Sequence, residues 1–281
     1  MRTIHTVAIA AAIAAAGVVG ASVIHLAGAQ DVPALAAGGD LAVAAEDTAS
    51  EELRSVLATS EKLNDGAVVS VDVSLSDAHA AGMIGGSPAG VVLEPAHCLT
   101  YLSNVLDAKA GVAGWLQMGV RPEQEGHYSA LLASVPGGVT PDDLLAGVRG
   151  CEAGTITLEK LGVTGEFSIT AFEVPDEPGV QTLGLHAKTS FPENISDEQL
   201  AEELSCLAST QGAVTEASQA CGDQRELSQA AAQQAMSFYS QEYFFVYAMS
   251  GDLMVEACEI EKLGAIEVAT ELLQSASEQM A

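Results

Sequence analysis

The sequence predicts an α+β domain: an antiparallel sheet built from hairpins, with helices packed on it and disulfides bridging it. Three observations predict this class. Strand-like segments alternate apolar and polar residues, so each has one buried and one wet face, as in antiparallel sheets. The elements run helix–strand–helix–hairpin–helix–strands–helices–hairpin–helix, an α+β order. Five cysteines (Cys98, Cys151, Cys206, Cys221 and Cys258) all follow a segment with the marks of an export signal, and exported thiols oxidise.

That segment comes first. Met1-Arg2-Thr3-Ile4-His5 is a short basic head, Val7 to Leu26 is an apolar run, and Ala27-Gly28-Ala29 is a small-residue end. Residues 1–29 therefore read as a signal peptide cleaved between Ala29 and Gln30. The run is also long enough to cross a bilayer, so the alternative is a retained anchor over residues 6–29. No cysteine follows the run, so no lipid-accepting thiol is offered. The location implied is secreted or the extracytoplasmic cell envelope. Residues 30–47, rich in Ala and Gly, read as a flexible linker, and residues 48–281 as one domain.

Within that domain Thr48 and Glu51 have capping-box spacing and open a helix whose apolar face is Leu53, Val56, Leu57 and Leu63; Asn64-Asp65-Gly66 ends it. A strand follows, with Ala67, Val69, Val71, Val73 and Leu75 on one face and Ser70, Asp72 and Ser74 on the other. Gly82 to Gly90 is a glycine-rich loop, and Glu94-Pro95 starts a helix bearing Cys98, Leu102 and Val105 on one side. Residues 112–120 and 127–135 form a hairpin. Thr140-Pro141-Asp142-Asp143 then starts a short helix, with an N-cap, a proline and two acids at the positive end of the dipole. Leu144, Val148 and Cys151 share one face of it, which turns Cys151 to the core. Strands are expected at 155–160, 166–174 and 180–188. Ser196 and Gln199 cap a helix, residues 208–225 are a polar insertion, and Glu226–Met236 is helical. The aromatic run Tyr243–Met249 and Leu253–Cys258 flank Ser250-Gly251 as a last hairpin, and a closing helix carries Ile266, Ala269 and Leu273 on one face.

Charge and motifs exclude more than they assign. The net charge is -28 and Lys and Arg are scattered singly, which argues against nucleic acid and against anionic lipid surfaces; only a retained N-terminal segment links the chain to a membrane. No C-x-x-C pair, H-E-x-x-H, calcium loop, P-loop, G-x-G-x-x-G, G-x-S-x-G or S-x-x-K is present, so no metal, no cofactor and no catalytic residue is assigned. His79, His97, His127 and His186 are isolated in sequence. Of the carboxylate pairs, Glu123/Glu125 has no assigned task and Asp142/Asp143 already serves a helix start. Two disulfides and one leftover thiol are expected, with the pairing left open by spacing alone.

Cys98, the strand bearing Gly114-Trp115, the strand Tyr128–Val135, Val135-Pro136-Gly137-Gly138-Val139-Thr140-Pro141-Asp142-Asp143-Leu144-Leu145 and Cys151 follow a recurring order. It resembles the extracytoplasmic sensor-like domain of mycobacterial membrane Ser/Thr kinases and of related actinobacterial secreted proteins and lipoproteins. The last hairpin, Cys258 and the terminal helix extend the similarity over about Ala67 to Ala281. The resemblance implies an antiparallel sheet with helices, a cleft for a small or cell-wall-derived ligand, and a Cys98–Cys151 disulfide. It implies a second bridge too, but the family's partner cysteine is missing near Ser240. Cys258 then pairs with Cys206 or Cys221, or stays free. The function implied is a non-catalytic ligand-binding or sensor-like domain, its partner a small ligand or another envelope protein. A secreted hydrolase whose residues meet only in three dimensions and a structural or interaction protein of the envelope are the alternatives.

Overall fold

Alternating side chains along the strands put two apolar surfaces on one sheet, and helices cover them from both sides. The computed structural model describes residues 42–80, 84, 91–121, 126–158, 163–175, 177–191 and 242–280. Six helices and nine strands fall among these residues: α1 (Ala42–Thr59), α2 (Glu61–Asn64), β1 (Val68–Ser74), α3 (Leu75–Ala80), β2 (Val91–Glu94), α4 (His97–Asp107), β3 (Ala113–Arg121), β4 (Gly126–Ser134), α5 (Pro141–Gly147), β5 (Gly154–Leu158), β6 (Val163–Phe172), β7 (Gln181–Ser190), β8 (Glu242–Ser250), β9 (Leu253–Glu259) and α6 (Lys262–Gln279). The strands form one sheet in the order β1-β3-β4-β9-β8-β7-β6-β5-β2, antiparallel throughout. The fold is the expected α+β class.

One face of the sheet carries Leu116, Leu131, Ile156, Leu185, Phe245 and Tyr247, packed with Ala78 of α3, Leu99 and Leu102 of α4 and Leu144 of α5. The opposite face carries Trp115, Leu132, Val246 and Val255 beneath Leu53 and Leu57 of α1, Leu63 of α2 and Val268 and Leu272 of α6. The expected helix faces are thus real: Leu53, Val56, Leu57, Leu63, Ala269 and Leu273 are all buried. Each fully buried Leu stabilises the fold by roughly 1.5–3 kcal/mol relative to exposure. Asp72, on the α1 side of β1, fastens α1 to the sheet. It accepts hydrogen bonds from Arg54 Nη2 (2.9 Å) and from Trp115 Nε1, and the guanidinium lies 4.9 Å over the Trp115 ring.

Local chemistry explains the element boundaries. Thr140 Oγ1 accepts from the Asp143 amide (3.3 Å) and Asp143 Oδ2 accepts from the Thr140 amide (2.9 Å), a full capping box with Pro141 behind it. The Thr140 amide, then the Thr140 hydroxyl, donating to Asp143 Oδ2 hold that carboxyl below its usual range. In the last hairpin Gly251 takes φ +59°, which the tight Gly251–Asp252 turn requires. The Arg121 guanidinium is buried against Glu259 (2.8 Å) and also donates to the carbonyls of Lys62, Leu63 and Asp65.

Several expectations are corrected. The first helix begins at Ala42, ahead of Thr48, so residues 42–47 of the expected linker are helical. It breaks at Ser60, whose hydroxyl accepts from the Leu63 amide and caps a second, four-residue helix. Along β1 the pairing with β3 slips between Val69 and Val71, so the predicted five-residue stripe is cut. Val71 and Val73 face the α4 side, Ala67 packs on the α1 side and Val69 is exposed. Leu75 leaves the strand to begin α3, where Ser74 Oγ accepts from the Asp77 amide (3.1 Å). Glu94 closes a short strand, β2, through a cis bond to Pro95, and α4 starts at His97. The helices expected near Ser196 and over 226–236, the insertion 208–225, Cys206, Cys221, Ala29 and Gln30 lie outside the described residues.

Candidate functional site

α1 and α6 pack on β3, β4, β8 and β9, and they leave the same face of the sheet open over β7, β6 and β5 among the described residues. Strand parity decides what this open surface displays. Thr155 (β5), Glu166 and Ser168 (β6) and Lys188 and Ser190 (β7) point outward, while Ile156, Phe167, Ile169 and Ala187 point into the α4-side core. A cleft of about 530 Å³ lies here, lined by Ala153, Gly154, Thr155, Glu166, Phe167, Ser168, Lys188 and Ser190. Its floor needs a glycine: a Cβ on Gly154 would meet the Phe167 ring at 2.4 Å and the Glu94 carbonyl at 2.3 Å.

The one cation of the cleft lining is already paired. Lys188 Nζ donates to Glu242 Oε1 (2.6 Å), and the His186 ring bonds the other oxygen (3.0 Å). The bond from Lys188, then that from His186, holds the Glu242 carboxyl below its usual range. Ser168 and Lys188 are cross-strand partners, as a Ser–Lys catalytic couple would need to be. The Lys188 ammonium is engaged by a carboxylate, however, and an ammonium has no lone pair with which to take the Ser168 proton. Beside the cleft runs an aromatic row. His186 stacks on Phe244 at 4.5 Å, Phe244 meets Phe172 edge-on at 5.8 Å, and Lys262 of α6 sits 4.5 Å over Phe172.

The cysteines lie elsewhere. Cys98, in the first turn of α4, is bonded to Cys151, just beyond α5, and both are fully buried. The pairing implied by the resemblance is therefore present. Cys258 on β9 is a free, buried thiol opposite Ser129 of β4. Cys206 and Cys221, the partners expected for Cys258, lie outside the described residues. Burial pushes the Cys258 thiol well above its ordinary range.

The four histidines among the described residues sit on four different elements: His79 is exposed on α3, His97 exposed at the start of α4, His127 half-buried on β4 and His186 half-buried on β7. Burial lowers the His127 pKa. Asp142 and Asp143 cap α5, and Glu123 and Glu125 lie outside the described residues. Sequence reasoning missed two groups. One is Glu256, fully buried on β9 beside Tyr247, whose hydroxyl bonds that of Tyr101. The other is the outward row of β6 and β7, visible in the sequence only as alternation without a partner.

No family model matches the chain, and no curated protein matches it significantly in sequence. Solved structures resemble it, among them two of mycobacterial origin. One is the Rv0999 ortholog of Mycobacterium smegmatis, an uncharacterised protein. It is 11% identical, has a TM-score of 0.39, and the match covers 80% of this chain and 96% of that one. The other is the extracellular domain of PknH from Mycobacterium tuberculosis, at 13% identity and a TM-score of 0.35, covering 82% of this chain and 91% of that one. No described helix is long and apolar enough to cross a membrane.

Proposed function

We propose that the chain is a non-catalytic, sensor-like binding domain of the cell envelope, and that its ligand is a small, hydroxyl-rich molecule such as a cell-wall-derived saccharide. The open cleft on β5–β7 carries this reading. Hydroxyls from Thr155, Ser168 and Ser190 converge there with one carboxylate and one ammonium, beside the stacked rings of His186 and Phe244. Such a surface offers donors and acceptors to an uncharged polyol and a flat apolar face to a sugar ring. With its ammonium held by Glu242, Lys188 offers Ser168 no lone pair, which supports binding over Ser–Lys turnover.

Amide-resolved NMR titration with soluble cell-wall saccharide fragments tests the proposal. Shifts are expected to cluster on Thr155, Glu166, Ser168, Lys188 and Ser190, and Ser168→Tyr, which fills the cleft from an outward position, is expected to abolish them while leaving the fold's spectrum intact. Saturating shifts elsewhere on the sheet, no shifts at all, or conversion of the fragments to products would overturn it.

A further inference from the structure

His97 lies against the disulfide although the sequence separates it from Cys151. Its Nε2 is 3.5 Å from Cys151 Sγ and 3.9 Å from Cys98 Sγ. The three potential ligand atoms fall within 4.8 Å of one another. Tetrahedral Zn²⁺ with Zn–S of about 2.3 Å and Zn–N of about 2.0–2.1 Å places nitrogen about 3.5–3.6 Å from each sulfur, and the sulfurs about 3.8 Å apart. The nitrogen-to-sulfur distances are therefore already close to those of a metal site. The sulfurs alone are too near, at 2.04 Å, because they are bonded to each other.

We propose that reduction of Cys98–Cys151 converts this corner into a Cys₂His site for Zn²⁺ or a similar borderline cation, with the fourth position left to water on the exposed side of His97. The chemistry balances. A dithiol reductant passes two hydrogens to the two sulfurs and closes to its own disulfide. The cation then displaces both thiol protons and is held by two thiolates and one imidazole. Cys98 sits in the first turn of the eleven-residue α4, next in the chain to His97. While the disulfide is intact the site is closed. The sulfurs then have no thiolate charge, and Nε2 is bonded to the Arg149 carbonyl at 2.9 Å. A carbonyl only accepts, so Nε2 carries its proton in that state and must release it to bind the cation.

Co²⁺ titration of the full chain carrying Cys206→Ser and Cys221→Ser tests this, before and after reduction by a trialkylphosphine, which becomes the phosphine oxide as water supplies the thiol protons. The oxidised chain is expected to show no thiolate-to-cobalt absorption band, and the reduced chain to bind a single Co²⁺ with that band. His97→Ala is expected to weaken binding by more than about tenfold, the lower bound for disturbing even an outer-shell partner. A reduced chain without the band, equal binding in the oxidised chain, or unchanged affinity in His97→Ala would each overturn the proposal. If reduction unfolds the chain, recovery of its circular dichroism on adding Co²⁺ supports the site, and failure to recover overturns it.

Discussion

Glu256 shows what one buried acid does to the pH dependence of a fold. Strand parity turns it inward with Met254 and Cys258, between Leu131 of β4 and Tyr247 of β8. Neither carboxyl oxygen meets a donor at full hydrogen-bond geometry among the described residues, the nearby Tyr247 hydroxyl offsets the cost of burial only in part, and the titratable groups around the carboxyl are the Tyr101, Tyr247 and Cys258 side chains, none of them basic. Burial raises its pKa from 4.5 to about 8. The folded state therefore keeps a proton that the unfolded chain gives up from about pH 4.5 upward. Stability contributed by this group is greatest in acid and falls as pH rises toward 8, by about 1.4 kcal/mol per pH unit. Glu256→Gln, which removes the titration and keeps the shape, is expected to raise the melting temperature clearly at pH 8 and hardly at pH 5. Melting curves recorded across that range check it, and parallel pH profiles for the two proteins would refute the assignment.

At the scale of elements, the Cys98–Cys151 bond ties the start of α4 to the stretch after α5, and the Cys151 carbonyl in turn accepts from the Ile169 amide of β6 at 2.8 Å. Closing a loop of 53 residues stabilises the fold by about 4 kcal/mol in the chain-entropy model. Cys98→Ser under oxidising conditions is therefore expected to lower the melting temperature by many degrees; an unchanged melting temperature would deny the bond that role. Elements with a strong local signal were legible in the sequence. The α5 start with its N-cap, proline and acids, the two hairpins and the apolar faces of α1 and α6 all stand where residue chemistry placed them. Those that depend on distant partners were not. β2 is four residues whose strand character comes from pairing with β5, and the slip in β1 exists only against β3. α3 did carry a signal, Ser74 followed three residues later by Asp77, but strand alternation ran through it and masked it.

At the scale of the molecule, the candidate cleft could not be read from the chain. Its polar residues come from three strands, and only the antiparallel register brings Ser168 opposite Lys188 and Glu166 opposite Ser190. The acidity, in contrast, was plain from composition. A net charge of -28 repels itself across a folded surface, and raising ionic strength from about 0.1 M to about 1 M shortens the screening length from about 10 Å to about 3 Å. Added sodium chloride over that range is expected to raise the melting temperature, and differential scanning calorimetry at a series of concentrations measures it. A flat or falling trend would show that the surface charges are already well separated.

The strand order carries one more consequence. β8 and β9, late in the chain, lie in the middle of the sheet, with β9 against β4 and β8 against β7. Before they arrive, β1-β3-β4 and β7-β6-β5-β2 are two half-sheets with no strand in common, each exposing an unpaired edge. A chain emerging N-terminus first, from a ribosome or through a membrane pore, therefore cannot join these half-sheets until β8 and β9 are out. Its early portions must be held apart from other chains in the meantime, and a break anywhere before Glu242 leaves two fragments in place of a smaller version of the same protein.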